Sequence, residues 1–175
     1  CEGFLTANRY ICLDGWPRYL ALYDLANVDV LRGEGYARIA VDRYSVWTER
    51  IISQVWGQYR AEGTQIYPGT GLLGAAGHHA RLVVWRFRDI APGMEEIIVD
   101  GLRAIYESQP ETAQTRVFDA RRAGNRVVIG IVELHAPWTP PSSAFAKLGP
   151  ALRHLDMLNV YTRYQRRWPS VHPKN

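Results

Sequence analysis

Arg18-Tyr19-Leu20-Ala21-Leu22-Tyr23-Asp24-Leu25 and Arg126-Val127-Val128-Ile129-Gly130-Ile131-Val132-Glu133-Leu134 are two apolar runs that open on Arg and close on an acid and then Leu. The residues after each run repeat as well. An amphipathic helical stretch leads to a polar strand that ends Gln65-Ile66-Tyr67-Pro68 in the first copy and Arg166-Arg167-Trp168-Pro169 in the second, so the likeness extends through order and spacing. The second copy has more ahead of it. Ala80 to Arg88 reads as a strand and Pro92 to Ser108 as a helix, whereas residue 1 falls just before the second strand of the first copy. The chain reads as one and a half copies of a β-α-β-β-α-β unit, the split β-α-β arrangement, with the first copy lacking its initial strand and helix.

The chain has 175 residues, 47% hydrophobic and 22% charged, enough apolar material for a full core and far from a disordered composition. Its longest apolar stretches are strand-length and interrupted by Arg, Glu or Gly, and the N-terminus lacks a basic-then-apolar signal pattern. A cytoplasmic location is the default expectation. Cys1 and Cys12 form neither a CxxC nor a metal spacing. The formal charge of +4 raises the question of nucleic acid. Its carriers are mostly Arg scattered over strands and turns, often beside an acid, so a solvated sheet edge explains them first. An anionic small molecule or partner surface comes second and RNA third.

Phe4 to Leu13 and Arg18 to Leu25 read as strands joined by the hairpin turn Asp14-Gly15-Trp16-Pro17. Asn27 caps a helix carrying Val30, Leu31, Tyr36 and Ile39, and Trp47, Ile51, Ile52 and Val55 stand at helical spacing in a second stretch before a strand within Gly57 to Tyr67. Residues 68 to 77 are Gly-rich and aperiodic. They lack the GK[ST] ending of a phosphate loop, and a flexible linker is the stronger reading. In Arg81 to Arg88 both faces are apolar. Met94, Ile97, Ile98, Gly101, Leu102 and Ile105 form the buried stripe of the next helix. Strands from Thr112 to Arg121 and Arg126 to His135 come next, then a helix capped by Ser142 or Ser143 with Phe145, Leu148, Leu152 and Leu155 inward, and a strand from Leu158 to Arg166.

These elements predict an α+β protein of two ferredoxin-like repeats: residues 1–68 as the incomplete first, 69–79 as the linker, 80–168 as the second and 169–175 as a tail. Two-faced apolar strands call for cover on both sides of a sheet. The expectation is that the repeats pack sheet to sheet as an intramolecular pseudo-dimer, with a cavity where small residues such as Ala21 and Gly130 leave room.

The stretch Gly3-Phe4-Leu5-Thr6-Ala7-Asn8-Arg9-Tyr10, then Pro17 to Leu25, then Tyr44-Ser45-Val46-Trp47-Thr48-Glu49-Arg50, resembles the dimeric α+β barrel superfamily and within it the EthD-like proteins. It is similar to the region just after their Trp-His…Glu-His…Pro helix. No position here matches that helix, so its polar site is not carried over. The resemblance implies a cavity that binds a small hydrophobic or aromatic molecule. It spans cofactor-free oxygenases, cyclases, lyases and some haem enzymes, and fold alone does not choose among them.

For acid-base chemistry the candidate catalytic residues are His135 and Tyr23. Glu133 lies two residues before His135 on one strand face, where a carboxylate favours the charged imidazole; a solvated strand end is the plainer explanation. Tyr19 shares the face of Ala21 and Tyr23. Trp85 and Phe87 offer aromatic surface from a neighbouring strand, or are simply core. His78 and His79 point apart on adjacent residues, so no metal site is expected. No cofactor is expected either; haem is the alternative, with His135 as its axial ligand. The sequence therefore predicts binding and transformation of a small aromatic molecule by metal-free acid-base or cofactor-free oxygen chemistry, with no nucleic-acid or membrane partner. The alternative is a non-catalytic ligand-binding or assembly protein, completed by another chain or a second copy at the unfinished first repeat.

Overall fold

The structure, a computed structural model, describes residues 2–40, 45–55, 57–69, 71–75 and 77–164. Cys1, Tyr44, the ending Arg166-Arg167-Trp168-Pro169 with the tail 169–175, and the side chains of Ile39 and Trp47 lie outside the described residues.

Two strands, β1 (Phe4–Asp14) and β2 (Tyr19–Leu25), form the hairpin that Asp14-Gly15 predicts. A 3-10 turn (Val28–Arg32) and two short helices, α1 (Glu34–Ala40) and α2 (Val46–Ile52), lead to β3 (Glu62–Tyr67). Asn27 does cap, its side chain accepting from the Asp29 N–H at 3.0 Å, but the turn it starts stops at Gly33. The remainder runs β4 (Arg81–Arg88), α3 (Met94–Tyr106), β5 (Thr112–Arg122), β6 (Asn125–Leu134), a 3-10 stretch (Ser142–His154) and β7 (Leu155–Arg163). The helix expected after Ser142 is this 3-10 stretch. Gly149 (φ 49°) breaks it and Pro150 supplies no backbone N–H, so Leu155 opens β7, from which it still packs against the core under α3, while Leu152, expected inward, is exposed.

The strands do not make two stacked sheets. They form one seven-stranded sheet in the order β2-β1-β7-β4-β6-β5-β3, antiparallel at every junction. β1 continues the sheet from β7 at one edge and β3 continues it from β5 at the other. The sheet also curls. β2 and β5 are five strands apart, about 24 Å in a flat sheet, yet Arg116 on β5 donates to Asp24 on β2 at 2.8 Å. The result is an open half-barrel with a concave face.

Each face carries its own core. On the convex side Val83, Trp85 and Phe87 of β4 pack with Val128 and Val132 of β6 under Ile98, Leu102 and Ile105 of α3. The i, i+4, i+7 spacing of those helical residues places them on one stripe. Gly130 is required there, because a Cβ would stand 2.4 Å from Leu102 Cδ1. Trp85 Nε1 donates to Tyr106 Oη at 3.0 Å, which satisfies two polar groups inside this core. On the concave side Tyr10, Cys12, Leu82, Val84, Ile131 and Tyr161 form the floor. Leu20, Leu22, Phe118, Ile129 and Met157 stand around them, only partly buried. The stretch expected to be a flexible linker is docked instead, with Leu73 buried in the concave core.

Candidate functional site

Period-two alternation sends Leu20, Leu22 and Asp24 of β2 and Ile129, Ile131 and Glu133 of β6 to the concave face. Gln114, Arg116 and Phe118 of β5 face them. The two acids that close the repeated runs therefore meet, with Arg116 between them. Arg116 Nη1 donates to Asp24 Oδ1 at 2.8 Å, and its Nε lies 3.8 Å from Glu133 Oε1, an ion-pair contact without a hydrogen bond. Arg116 is 1% exposed and Glu133 0%. Groups so buried persist in ionised form only when paired and hydrogen-bonded.

The docked segment supplies much of that bonding. The Leu73 N–H donates to Asp24 Oδ2 at 2.6 Å and the Gly74 N–H to Glu133 Oε2 at 2.9 Å. Thr6 Oγ1 donates to Asp24 Oδ2 at 2.7 Å, and Gln114 Nε2 to Glu133 Oε1 at 2.6 Å. Burial pushes the Asp24 carboxyl up. The Leu73 and Thr6 bonds and the Arg116 charge outweigh it and hold that carboxyl below the usual carboxylate range.

A second chain of groups leaves Glu133. His79 Nδ1 is 3.0 Å from Glu133 Oε2, off the line of a regular hydrogen bond, and His79 Nε2 is 3.0 Å from Tyr10 Oη. Burial, reinforced by the Glu133 charge, pushes the Tyr10 phenol well above its ordinary value. Tyr10 therefore stays protonated at neutral pH, and its hydroxyl shares with His79 Nε2 a hydrogen bond whose direction follows the imidazole tautomer. Carboxylate, imidazole and phenol form a buried relay at one end of the concave face. Beside it His79 borders a groove of about 510 Å³ that Ile11, Arg81, Thr162 and Arg163 also line. Cys12 sits nearby as a buried thiol, kept protonated by its burial.

Of the residues expected from sequence, only Glu133 enters this cluster. His135 lies one residue past β6, exposed, its Nδ1 3.2 Å from the His78 carbonyl oxygen. An axial haem ligand needs an enclosing apolar pocket, which an exposed His135 lacks, so the expected residue does not fit that group. Tyr19 and Tyr23 point to the convex side and are 70% and 48% exposed. Trp85 and Phe87 do not line the concave face. They are sealed beneath α3, because their parity on β4 is opposite to that of Leu82 and Val84. Sequence reasoning passed over Tyr10, Asp24, His79 and Arg116. Asp24 and Arg116 carried a signal: each is a charged residue at an inward position of an apolar strand. His79 carried none, because its place depends on how residues 71–79 fold back. Of the other arginines on the sheet, Arg86 and Arg88 pair with Asp156 and Arg126 pairs with Asp119 and Glu95.

Fold and cluster together define an α+β protein with one curled, half-barrel antiparallel sheet. No family model and no curated protein sequence matches the chain. It is similar to a solved structure described as an anthrone oxidase-like protein, with a TM-score of 0.60 and 14% identity over 94% of this chain and 78% of the other. No helix among the described residues is long and apolar enough to cross a membrane, and no three His, Cys, Asp or Glu side chains among them gather at metal-binding distance.

Proposed function

We propose that this chain binds a small aromatic molecule against the concave face and carries out a metal-free proton transfer on it. The observation that carries this reading is the relay Glu133–His79–Tyr10 at the end of an apolar, half-open concave surface. The concave face is read as the interior of an EthD-like barrel built from ferredoxin-like repeats. The anthrone oxidase-like neighbour suggests the substrate class, an enolisable or phenolic polycyclic ketone.

In this mechanism Tyr10 takes a proton from the substrate while passing its own to His79 Nε2. The imidazolium so formed lies against Glu133, whose charge stabilises it, and the substrate becomes an enolate or phenolate. Arg116 balances one of the two carboxylates, so the cluster with protonated His79 is neutral and accepts the new anion beside it. An electron-rich anion of this kind reacts directly with dioxygen: an anthrone and O₂ give an anthraquinone and water. His135, Tyr23, Tyr19, Trp85 and Phe87 have no part in this scheme.

The test uses anthrone and 1-naphthol as probes. Binding is read by native mass spectrometry and turnover by oxygen uptake and absorbance. Turnover is expected in the parent chain. His79→Gln should lower kcat by about 100-fold or more, the usual weight of a general base, and Tyr10→Phe, which removes the group that takes the substrate proton, should lower it at least as much. Binding without turnover supports the ligand-binding alternative. Neither binding nor turnover removes both readings.

A further inference from the structure

The groove beside His79 carries charge of one sign. It follows the end of β7 at Thr162, Arg163 and Tyr164, with Ile11 of β1 on one flank and residues 78–81, which lead into β4, on the other. Strand pairing fixes this arrangement. Arg163 stands opposite Tyr10 and Thr162 opposite Ile11, while β4 runs along the other edge of β7. Two of the lining residues are arginines, Arg81 and Arg163, two are histidines, and none is an acid. The carboxylate behind His79, Glu133, is fully buried and accepts from the Gly74 N–H and from Gln114 Nε2. Elsewhere on the sheet Arg86 and Arg88 hold Asp156, Arg116 holds Asp24 and Arg126 holds Asp119. Arg81 and Arg163 hold no carboxylate among the described residues. Arg81 uses one donor on the Ala80 carbonyl oxygen at 2.8 Å, and a guanidinium has five. What sets the two apart from an exposed arginine such as Arg121 is that they line the same groove.

We propose that this groove is a subsite for the carboxylate of an aromatic acid, held by Arg81 and Arg163 while the ring lies against Ile11 and Tyr164. Planar guanidinium groups match a carboxylate through paired N–H donors. The apolar and aromatic surface beside them selects an organic acid over a bare anion, which would leave the half-buried Ile11 and the exposed Tyr164 ring unused. The volume of about 510 Å³ falls within the range of about 300–1,000 Å³ that ligand pockets occupy. A neutral molecule of the same shape would strip water from the two guanidinium groups without pairing them, so the groove discriminates by charge. Its charge also reaches the relay. Burial and then Glu133 push the Tyr10 phenol up, and Arg163 is the foremost of the groups that pull it down. Anion binding here is independent of the relay; that the bound acid is also the relay's substrate rests on the proton transfer proposed above.

The probes are 2-naphthoate and 2-naphthamide, which have nearly the same shape and differ in charge. Their binding to the 175-residue chain is measured by titration calorimetry. Naphthoate should bind about ten-fold or more tightly than the amide, the weight of a charge-assisted hydrogen bond, and added salt should shrink that margin. Arg163→Gln and Arg81→Gln should each weaken naphthoate by about ten-fold and leave the amide within about two-fold. Arg163 is exposed, so its variants should melt with the parent, and Arg163→Lys should recover part of the loss. Arg121→Gln removes the same charge opposite the start of β6, whereas Arg81 stands opposite its end, and should leave both affinities unchanged. Absent naphthoate binding, equal affinity for acid and amide, or an Arg121→Gln loss as large as that of Arg163→Gln overturns the subsite. Inorganic phosphate that displaces naphthoate at equal concentration overturns it too, because the groove then takes any anion. Oxygen uptake with 1-naphthol reads the relay separately: charge selectivity without turnover removes the relay and keeps the subsite, and turnover without selectivity does the reverse.

Discussion

Replacing Arg116 with Met keeps most of the buried stem and removes the charge that Asp24 and Glu133 share. Arg116 is essentially inaccessible, its bond to Asp24 is 2.8 Å long, and Glu133 is fully buried. Taking one partner from a buried ion pair costs about 3–5 kcal/mol, because the remaining charge is left uncompensated. In a chain of this length each kcal/mol lowers Tm by roughly 2–4 °C, so Arg116→Met should melt roughly 6–20 °C below the parent at about pH 7. The pH dependence has a definite sign. In the parent, the Asp24 carboxyl is held below its ordinary value. Its stabilisation is complete above that value, about 3.9, and is lost only as pH falls through the lowered one. Without Arg116 the burial of Asp24 is less opposed and favours its protonated form, so acidification relieves the variant before it harms the parent. The gap in Tm should therefore narrow between about pH 7 and about pH 4.5. Circular dichroism melts of both proteins at the two pH values measure it. Adding Asp24→Asn and Glu133→Gln to Arg116→Met should recover most of the loss. A drop of less than about 2 °C, or a gap that widens in acid, would refute the assignment of Arg116 as the counter-ion of two buried carboxylates.

Gly130→Ala drives a methyl into Leu102, 2.4 Å away, and should cost about 1–3 kcal/mol, read as a lower urea midpoint with unchanged slope. Trp85→Phe leaves the Tyr106 hydroxyl without its donor inside the core, and a loss of about 1–3 kcal/mol is expected in the same assay. Burial pushes the Tyr10, Tyr106 and Tyr161 phenols above their ordinary value; stability they confer is complete below about pH 10 and falls as pH rises through the raised values. Spectrophotometric titration should show these three among the ten tyrosines ionising last, together with unfolding; early ionisation of all ten speaks against their burial.

Strands were legible where alternation or a turn residue marked them. Asp14-Gly15 announced the hairpin, and β4, α3, β5 and β6 fall within a few residues of their expected positions. The arrangement of the strands was not legible in the same way. Two-faced apolar strands require cover on both faces, but one curled sheet and two stacked sheets both satisfy that requirement. The site divides along the same line. Local alternation put Glu133 inward beside Ile129 and Ile131, and it does lie there. The same parity argument set Tyr19 and Tyr23 with Ala21 but could not say which side was concave, and the choice turned out reversed for both. His79 depends on Gly-rich residues whose path is fixed by two backbone N–H bonds to Asp24 and Glu133, contacts with no local pattern. The repeated acids were the most informative residues in the chain. Their meaning emerged only when curvature placed Arg116 between them.

The placement of β3 also constrains the order in which the chain is able to assemble. Among the described strands β3 pairs only with β5, which is made some fifty residues later, and Asp24 waits for an arginine 92 positions downstream. The amino-terminal half therefore has no sheet to join until residues 81 to 163 have collapsed, apart from its own hairpin. On the ribosome that half emerges first and is finished last. Through that interval β1 and β3 each lack the strand they pair with in the folded chain, β7 and β5, and charges along them such as Arg9 and Glu62 work against pairing between neighbouring nascent chains.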